Sequence, residues 1–560
     1  MTTTATQRRK ATRIEVFAGD TLWDLVIVGG GITGVAIAHE AARVGLKVLL
    51  LERQDFAAGA SSRSSKLVHG GFRYLKEGKI LLTRDSVRER EQLVRAAAGL
   101  VTPNQFLILD LKTQRVPMGI NLGLRIYDWL AGMRSSESLS VEEVLARVPG
   151  LPAEQLLGGY VYRDAQTDDA RLVLRVLSEA RRAGARALNY VHVHSVSSRA
   201  VERSGEPIEL EIEDLAAGTA PAVAGAERGR ATIRARVVIN ATGAWADRLR
   251  GTLGLAPRMR PLRGSHLVFS RERVPLPQPV SLFNPVDRRP LVIYPWEGVT
   301  VIGTTDLDHP EDLDIEPAIS AEEVAYLMAV MTLLFPDLEL TTDDIVSTWS
   351  GVRPVIGSGQ KDPSKESRDH AVWVEEGLLT VTGGKLTTFR LIALDALNKA
   401  RDILGGEVRI DSIKPDHPAI EPVDGAALQA ALLEHEGAGA PATDPAVRER
   451  LLGRHGEDAA AVVRDVSPPP GRRAQAVQLI PGTTTTWAEL QWAAGHESVV
   501  HLDDLLLRRT RVGLCVPEGG ARLHEILREW CQPALGWDDD RWAAELERYE
   551  QIWRARYSVP

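Results

Sequence analysis

A cluster of glycines directly after an apolar run is the feature that most restricts the fold of this chain. Residues 24–34 have the sequence Asp-Leu-Val-Ile-Val-Gly-Gly-Gly-Ile-Thr-Gly. The pattern predicts a buried strand over Leu22–Val28 and a helix over Ile32–Val44, and Lys47–Leu51 is typical of a second strand. Glu52 follows that strand. Strand, glycine turn, helix, strand and acidic residue in this order predict a βαβ unit that binds a dinucleotide.

The glycines of the turn have separate roles in such a unit. Gly29 permits the tight turn, Gly31 lets the backbone approach a pyrophosphate, and Gly34 lets helix and strand pack closely. The phosphates then lie at the positive end of the helix, and the carboxylate of Glu52 accepts hydrogen bonds from a ribose diol. The unit therefore predicts cofactor contacts at Gly29, Gly31, Ile32, Thr33, Gly34, Glu52 and Arg53.

Length and composition restrict the class of protein. A chain of 560 residues is too long for one hydrophobic core and predicts two or three domains. The net charge of −8 includes no basic excess, which argues against nucleic acid as a partner. The two cysteines, Cys515 and Cys531, fit neither a metal site nor a disulfide framework and indicate a reducing, cytoplasmic location. Secretory and membrane-spanning patterns are missing, so we expect any membrane contact to be peripheral, on the inner face of the cell membrane.

The order of predicted elements indicates an α/β protein with a discontinuous Rossmann-like nucleotide domain. A second apolar strand, Ala235–Asn240, continues into Ala241-Thr-Gly243, far along the chain from the first unit. Short β-rich segments such as Ser265–Phe269 and Val299–Gly303 predict an inserted antiparallel substrate domain. A helical C-terminal domain completes the chain. The expected boundaries are 1–20 for a disordered lead-in, 21–110, 160–260 and 350–403 for the nucleotide domain, 111–159 and 261–349 for the substrate domain, and 404–560 for the C-terminal domain.

Longer blocks resemble one family. The run from Ala60 to Leu75, with the sequence ASSRSSKLVHGGFRYL, closely resembles the flavin-contacting segment of FAD-dependent, aerobic-type glycerol-3-phosphate dehydrogenases. That family lies within the D-amino-acid-oxidase-like flavoproteins. Further similar blocks follow in the same order: Ala241–Gly243, Gly264–His266, Ile302–Asp306, Ser350–Pro354, Arg368–Asp369, Gly383–Arg390 and Trp492–Arg511. The βαβ unit alone does not distinguish NAD from FAD, whereas this resemblance implies FAD.

The resemblance also implies the residues that contact the cofactor. Residues 383–388 precede a predicted helix over Phe389–Asp402, so their N–H groups and the helix N-terminus can face the flavin and stabilise negative charge on the reduced ring. Thr387 and Thr388 have a second interpretation as simple helix caps. The implied cofactor contacts are Ser61, Ser62, Ser64, Ser65, Lys66, His69, Gly70, Gly71, Ala241, Thr242, Gly243, Asp306, Gly383, Gly384, Lys385, Leu386, Thr387 and Thr388.

The implied reaction is the oxidation of sn-glycerol 3-phosphate to dihydroxyacetone phosphate, with hydride transfer from C2 to flavin N5. His266 resembles the family's base and would take the hydroxyl proton, because an imidazole has a near-neutral pKa. Arg353 and Lys385 complete the predicted catalytic set. A phosphomonoester carries close to two negative charges, which guanidinium groups bind well. The predicted substrate-binding residues are Arg73, Tyr74, Arg353, Arg368 and Lys385.

The electron acceptor stays open between two alternatives. Members of the family commonly use a membrane quinone, but an oxidase that reduces oxygen fits the sequence equally well. Gly119–Arg134 combines apolar, aromatic and basic residues and is compatible with a helix in the lipid headgroup region or with an ordinary buried helix. Another small anionic substrate and a non-enzymatic flavin-binding protein are the rival functions. A homodimer is a common assembly for enzymes.

Overall fold

The computed structural model describes residues 5–71, 80–197, 206–216, 229–360, 366, 369–404, 417–433 and 444–560. The strands in these ranges are β1 Leu22–Val28, β2 Val48–Leu51, β3 Leu67–Val68, β4 Val101–Leu111, β5 Glu137–Leu139, β6 Leu156–Thr167, β7 Arg186–Leu188, β8 Val191–Val196, β9 Ile208–Asp214, β10 Arg230–Asn240, β11 Met259–Ser270, β12 Val280–Phe283, β13 Pro290–Trp296, β14 Val299–Gly303, β15 Leu307–Asp308, β16 Ile345–Ile356, β17 Ala371–Glu375 and β18 Leu378–Thr382.

The helices alternate with these strands in the first 404 residues and predominate afterwards. They are α1 Ala5–Phe17, α2 Ile32–Arg43, α3 Ile80–Ala96, α4 Ile120–Ala131, α5 Val141–Arg147, α6 Asp169–Arg182, α7 Ala246–Gly251, α8 Ala321–Leu334, α9 Phe389–Leu404, α10 Ala426–Leu433, α11 Pro445–His455, α12 Ala459–Arg464, α13 Trp487–His496, α14 Val512–Cys515, α15 His524–Leu535 and α16 Asp539–Arg556. Within the described ranges, none of them has the length and apolar character needed to span a bilayer.

The first sheet has the strand order β17-β18-β10-β1-β2-β7, and β18, β10, β1, β2 and β7 run parallel. Strand β1 is buried on both faces because helices and a β-ribbon cover it. Its Leu25 and Ile27 pack in the core formed with α2, α6 and α9. Its Val26 packs on the opposite face against the β8–β9 ribbon and α1. Both faces are apolar, as expected for a parallel sheet.

The second sheet is mixed and mostly antiparallel, with the order β15-β11-β14-β13-β12-β4-β6-β3. Strand β16 pairs with β11 over its whole length, and β5 pairs with β6. Helix α8 covers this sheet and contributes Leu327 and Met331 to its core. The helical C-terminal domain packs against the same sheet through Trp296 and Trp349. The predicted combination of a Rossmann-like domain, an inserted antiparallel sheet and a helical C-terminal domain is confirmed.

Two expectations about the organisation of the chain are wrong. The lead-in is not disordered, since residues 5–17 form α1, which buries Val16 and Phe17 and places Arg13 beside Asp214. Strand β4, most of β6 and the last part of β16, from residue 350, belong to the second sheet, whereas the expected boundaries 21–110, 160–260 and 350–403 place them in the nucleotide domain. Their pairing partners lie far away in the sequence, so the pattern of each strand alone does not show which sheet it joins.

Candidate functional site

Residues from both sheets line a cavity of about 1540 Å³. The glycine turn after β1 and the loop after β18 line one side, and residues of β11 and β16 line the other. In a parallel α/β sheet, ligands bind beyond the carboxyl ends of the strands. The predicted site residues that line this cavity are Gly29, Gly31, Ile32, Thr33, Glu52, Arg53, Ser61, Ser64, Ser65, His69, Gly71, Ala241, Thr242, Gly243, His266, Asp306, Arg353, Gly383, Gly384, Lys385, Leu386 and Thr387.

The glycine turn has the close contacts that a dinucleotide site needs. Gly29 has φ +114°, and a Cβ there would lie 2.4 Å from the carbonyl oxygen of Ala241. A Cβ on Gly34 would lie 1.9 Å from the carbonyl oxygen of Gly29, so Gly34 serves packing and does not line the cavity. Helix α2 begins at Ile32 and directs its positive N-terminal end into the cavity.

Glu52 lies at the end of β2 and closes the nucleotide side of the cavity. Its carboxylate accepts hydrogen bonds from the backbone N–H groups of Gly30, at 2.6 Å, and Gln54, at 2.8 Å. Burial raises the pKa of Glu52 above its ordinary value, although these hydrogen bonds oppose the shift. Residues 191–194 of β8 line the cavity near Glu52, which the sequence did not predict. Only the tertiary position of β8 identifies them.

The segment of residues 61–71 is divided between the cavity and the protein interior. The Ser61 side chain accepts a hydrogen bond from the N–H of Ile32 at 3.0 Å. Lys66 was expected to contact the cofactor, but its side chain is completely buried and donates to Asp169 at 2.8 Å. Burial lowers the pKa of Lys66 to about 8, although Asp169 opposes the shift. The side chains of Lys66, Ser62 and Thr388 lie behind the cavity wall, as does Gly70, and the predicted cofactor contacts of these four residues stay predictions.

His266 lies in β11 with its ring between an indole and a glycine. The ring stacks on Trp349 with centroids 4.7 Å apart, and a Cβ on Gly303 would lie 2.1 Å from its Cδ2 atom. Its Nε2 lies 2.9 Å from the hydroxyl of Ser65, whereas Nδ1 is buried without a hydrogen-bond partner among the described residues. Burial lowers the pKa of His266 well below its ordinary value, and the charges of Lys66 and Arg353 add to this shift. The imidazole is therefore neutral.

Arg353 extends from β16 toward the loop that follows β14. It donates to the carboxylate of Asp306 at 2.9 Å and to the hydroxyl of Thr304 at 3.1 Å. Gly264 leaves room for this guanidinium, since a Cβ there would lie 2.3 Å from it. Arg289 also lines the cavity and donates to the backbone oxygen of Asp306 at 2.6 Å. Arg289 is not among the residues predicted from the sequence, although its position in an Asp-Arg-Arg-Pro turn before an apolar strand was a usable signal.

The loop after β18 places a helix N-terminus at the cavity. Gly383 and Gly384 both have positive φ, near +80°, and Leu386–Thr388 form a 3₁₀ turn that continues into α9. The hydroxyl of Thr387 donates to the backbone oxygen of His69 at 3.0 Å, which joins this loop to the segment after Ser61. Thr387 is thus not a simple helix cap. Lys385 lines the cavity at the start of the turn.

Three predicted substrate-binding residues lie outside the described residues. Arg73 and Tyr74 fall in 72–79, and Arg368 falls in 367–368. They stay predictions.

The residues at both ends of the cavity fit FAD. The turn at Gly29 and Gly31 admits a pyrophosphate that any side chain would obstruct, and Glu52 adjoins it as the acceptor for a ribose. At the other end, Lys385 and the 3₁₀ turn are suited to the electron-rich edge of a flavin, within the same continuous cavity as His266.

Comparisons with known proteins agree with this arrangement. The family model for FAD-dependent oxidoreductases matches residues 24–394, and the model for the C-terminal domain of alpha-glycerophosphate oxidase matches residues 420–542. Aerobic glycerol-3-phosphate dehydrogenase from Bacillus subtilis (strain 168) is 38% identical over 392 residues, which are 69% of this chain and 68% of that protein. The Staphylococcus aureus (strain USA300) protein of the same name is 37% identical and covers 67% of this chain and 66% of its own.

Solved structures show the same relationship. Glycerol-3-phosphate dehydrogenase from Bacillus halodurans, complexed with FAD, superimposes with a TM-score of 0.74 at 27% identity over 98% of both chains. L-alpha-glycerophosphate oxidase from Mycoplasma pneumoniae, at 17% identity, a TM-score of 0.55 and coverage of 72% of this chain and 99% of that one, shows the shared fold. The chain belongs to the FAD-dependent oxidoreductases and, within them, to the aerobic glycerol-3-phosphate dehydrogenases, with FAD as its cofactor.

Proposed function

We propose that this protein oxidises sn-glycerol 3-phosphate to dihydroxyacetone phosphate and passes the electrons from FAD to a quinone. The observation that carries the proposal is the meeting of a neutral histidine, an arginine and a lysine in one cavity. His266 and Arg353 lie on the paired strands β11 and β16, and Lys385 lines the same cavity from the loop after β18. These residues supply a base and a cationic environment for an anionic alcohol.

His266 can take the hydroxyl proton of the substrate at Nε2. Its Nδ1 is buried against the protein, so Nε2 is the nitrogen available on the cavity side, where the hydroxyl of Ser65 lies 2.9 Å away. A neutral imidazole is the form that accepts a proton, and burial maintains that form. Bound FAD would supply the hydride acceptor for C2, while His266 would hold the hydroxyl proton.

Charge at the substrate end supports a phosphorylated substrate. Arg353 and Arg289 both donate to Asp306, so two guanidinium groups converge on one loop of the cavity wall. A phosphomonoester has close to two negative charges near neutral pH, and guanidinium groups bind such oxygens in pairs. A single carboxylate substrate would need only one of these cations.

An apolar part of the same cavity supports a quinone as acceptor. The cavity reaches α4, and two side chains on the outer surface of this helix are largely exposed: Leu122 at 65% and Trp129 at 77%. The alternative of an ordinary buried helix is therefore wrong. A quinone is apolar and resides in the membrane, so we propose that α4 lies in the headgroup region of the inner face of the cell membrane. The apolar wall of the cavity is formed by Phe106, Ile108, Ile120, Ile126, Tyr162, Leu282 and Phe283.

Anaerobic addition of glycerol 3-phosphate to the FAD-loaded protein tests the substrate. We expect the absorbance of oxidised flavin, near roughly 450 nm, to bleach with glycerol 3-phosphate and to stay unchanged with glycerol. Bleaching by an amino acid or a 2-hydroxy acid in its place would overturn the proposed substrate. No bleaching by any of them would favour a flavin-binding protein without this activity.

Reoxidation tests the acceptor. After anaerobic reduction, we expect a soluble quinone analogue to restore the flavin absorbance much faster than dissolved oxygen does. Rapid reoxidation by oxygen with stoichiometric peroxide would instead make the protein an oxidase. A homodimer stays a prediction, which sedimentation of the FAD-loaded protein would test.

A further inference from the structure

Glu323 is a buried carboxylate outside the cavity that contacts three separate chain segments. It is the third residue of α8 and its side chain is 2% exposed. One oxygen, Oε1, accepts hydrogen bonds from the hydroxyls of Ser265, at 2.8 Å, and Thr305, at 2.5 Å. The other, Oε2, accepts from the N–H of Ser320 and lies 3.0 Å from the guanidinium of Arg263.

The two groups bound to Oε1 adjoin the residues that act on the substrate. Ser265 directly precedes His266 in β11. Thr305 lies between Thr304 and Asp306, and Arg353 donates to all three: to the Thr304 hydroxyl, the Asp306 carboxylate and, at 3.3 Å, the backbone oxygen of Thr305. The N–H of Ser265 also donates to the hydroxyl of Thr305 at 2.9 Å, so the two segments are joined through the same pair.

A role in capping α8 explains only half of these contacts. A capping box requires one acceptor oxygen for the N–H of the N-cap residue, here Ser320, and Oε2 provides it. Oε1 makes no contribution to the cap. Its two hydroxyl partners are both buried, and the Ser265 hydroxyl also contacts that of Ser350 in β16 at 2.7 Å.

We propose that Glu323 is a positioning residue that fixes the distance between His266 and the Arg353–Asp306 pair. Its Oε1 holds β11 and the loop after β14 in one arrangement, and the hydroxyl of Ser350 includes β16 in the same network. Catalysis depends on such distances, because small displacements of reacting groups reduce rates strongly. The inference rests on the proposed function, since it concerns the same reaction.

The substitution Glu323→Gln tests the proposal with little change in shape. Glutamine retains one acceptor oxygen for the cap of α8 but presents an NH₂ group in place of the second oxygen. That group cannot accept the hydroxyl protons of Ser265 and Thr305. We expect the rate of flavin reduction at saturating glycerol 3-phosphate to fall between about 10-fold and 100-fold, with a smaller change in KM. The FAD content should be unchanged, and the C2-deuterium isotope effect should increase.

Two control variants separate positioning from folding. Glu322→Gln alters an exposed neighbour on the same helix, and Ser320→Ala removes the cap side chain without touching Oε1. We expect both to reduce flavin at the wild-type rate, and Ser320→Ala to lower the melting temperature. Thr305→Val should reproduce the rate loss, and its combination with Glu323→Gln should be less than additive.

The outcomes distinguish this proposal from the proposed function. Failure of the wild-type protein to bleach with glycerol 3-phosphate would remove the function itself. Normal bleaching by the wild type together with an unchanged rate in Glu323→Gln would overturn the positioning role alone. An equal rate loss in Ser320→Ala would assign the effect to the helix cap and would also overturn it.

Discussion

His266 has an environment that keeps its ring fixed and uncharged. The stacked Trp349 and the small Gly303 leave no room for rotation, and Ser65 contacts Nε2. A charged imidazolium here would be buried beside Lys66 and Arg353, both of which are cationic, so protonation is unfavourable. The base is therefore ready before substrate binds.

The depressed pKa of His266 makes a prediction about pH. An unfolded histidine titrates near 6.5, and the folded one titrates well below that value. The unfolded state therefore binds more protons below pH 6.5, so this residue's contribution to stability is complete above pH 6.5 and is lost as the pH falls through the lower, folded pKa. In NMR spectra of protein with labelled histidines, the His266 signal is the one that is missing from the His266→Gln variant. At pH 6.5, this signal should still be that of a neutral ring. A titration midpoint at or above 6.5 would contradict this environment.

The identities of many site residues could be predicted from the sequence, but their side-chain contacts could not. Gly29, Glu52 and His266 lie where their motifs indicate, because backbone geometry determines those motifs. Lys66 belongs to the Ala60–Leu75 block yet its side chain faces the interior, because it forms an ion pair with Asp169, about a hundred residues away in the chain. Arg289 was not predicted, because its hydrogen bond to the backbone oxygen of Asp306 forms only in the folded chain.

At the scale of elements, the accuracy of a prediction depends on where the stabilising contacts come from. The bounds of β1 and β14 were predicted correctly and those of α2 to within one residue, since local apolar patterns define these elements. Helix α1 was missed because its sequence is polar and its stability comes from contacts with β9 and β10. Tertiary contacts can outweigh local propensity in this way.

Helix α4 is expected to bind membranes through its exposed apolar residues. The double variant Leu122→Ser with Trp129→Ser removes the two most exposed of them on this helix. We expect it to sediment less with anionic lipid vesicles than the wild type does, because the buried apolar area at the interface falls. Flavin reduction by glycerol 3-phosphate should be unchanged.

A matched control for α4 is Leu479→Ser, which alters an exposed apolar residue in the C-terminal domain, 40% accessible. Equal sedimentation of all three proteins would show that α4 does not contact the membrane.

Asp314, in the loop before α8, links two arginines at the nucleotide end of the cavity. Asp314 lies 2.7 Å from Arg53, which follows β2, and 2.5 Å from Arg248 in α7. Burial acts to raise the pKa of Asp314, but the two guanidinium groups outweigh it and the pKa is lowered. All three side chains line the cavity, so this bridge lies across the site of the adenosine half.

Removal of the bridge should accelerate loss of the cofactor. Each exposed ion pair contributes up to about 1 kcal/mol, so Asp314→Asn should speed FAD dissociation by roughly 3- to 10-fold, measured by the rise of free flavin fluorescence. High salt should reduce the difference from the wild type. Among the described residues, Asp312 forms an ion pair only with Arg248, so Asp312→Asn should have a smaller effect. Identical dissociation rates in all three proteins would exclude a role for the bridge.

At the scale of the whole molecule, buried ion pairs join the C-terminal domain to the segment that contains Ser64 and Lys66. Arg511 lies 2.8 Å from Asp168 and 2.6 Å from Asp169, at the start of α6. Asp169 in turn binds Lys66 and the hydroxyl of Ser64. The described residues of the C-terminal domain therefore support the shape of the cofactor site without lining its cavity.

The substitution Arg511→Met tests this connection. It removes one partner from each of two buried carboxylates, while Arg454 stays beside Asp168 and Lys66 stays beside Asp169. Removing one member of a buried pair costs up to about 3–5 kcal/mol. We expect a lower urea midpoint by tryptophan fluorescence and a parallel loss of FAD. Arg554→Met removes an exposed ion pair and should leave the midpoint nearly unchanged. Similar midpoints for both variants would contradict a structural role for Arg511.

The chain order of the parallel sheet has a consequence for biosynthesis. Strands β1 and β2 leave the ribosome early, but β10 joins them after the β4–β6 region has been made, and β18 pairs with β10 only after residue 378. The turn at Leu386–Thr388, which completes the flavin end, is translated later still. During synthesis, domains generally fold as units, beginning with the N-terminal one. The complete FAD site therefore cannot form until residue 388 of the 560 has been translated.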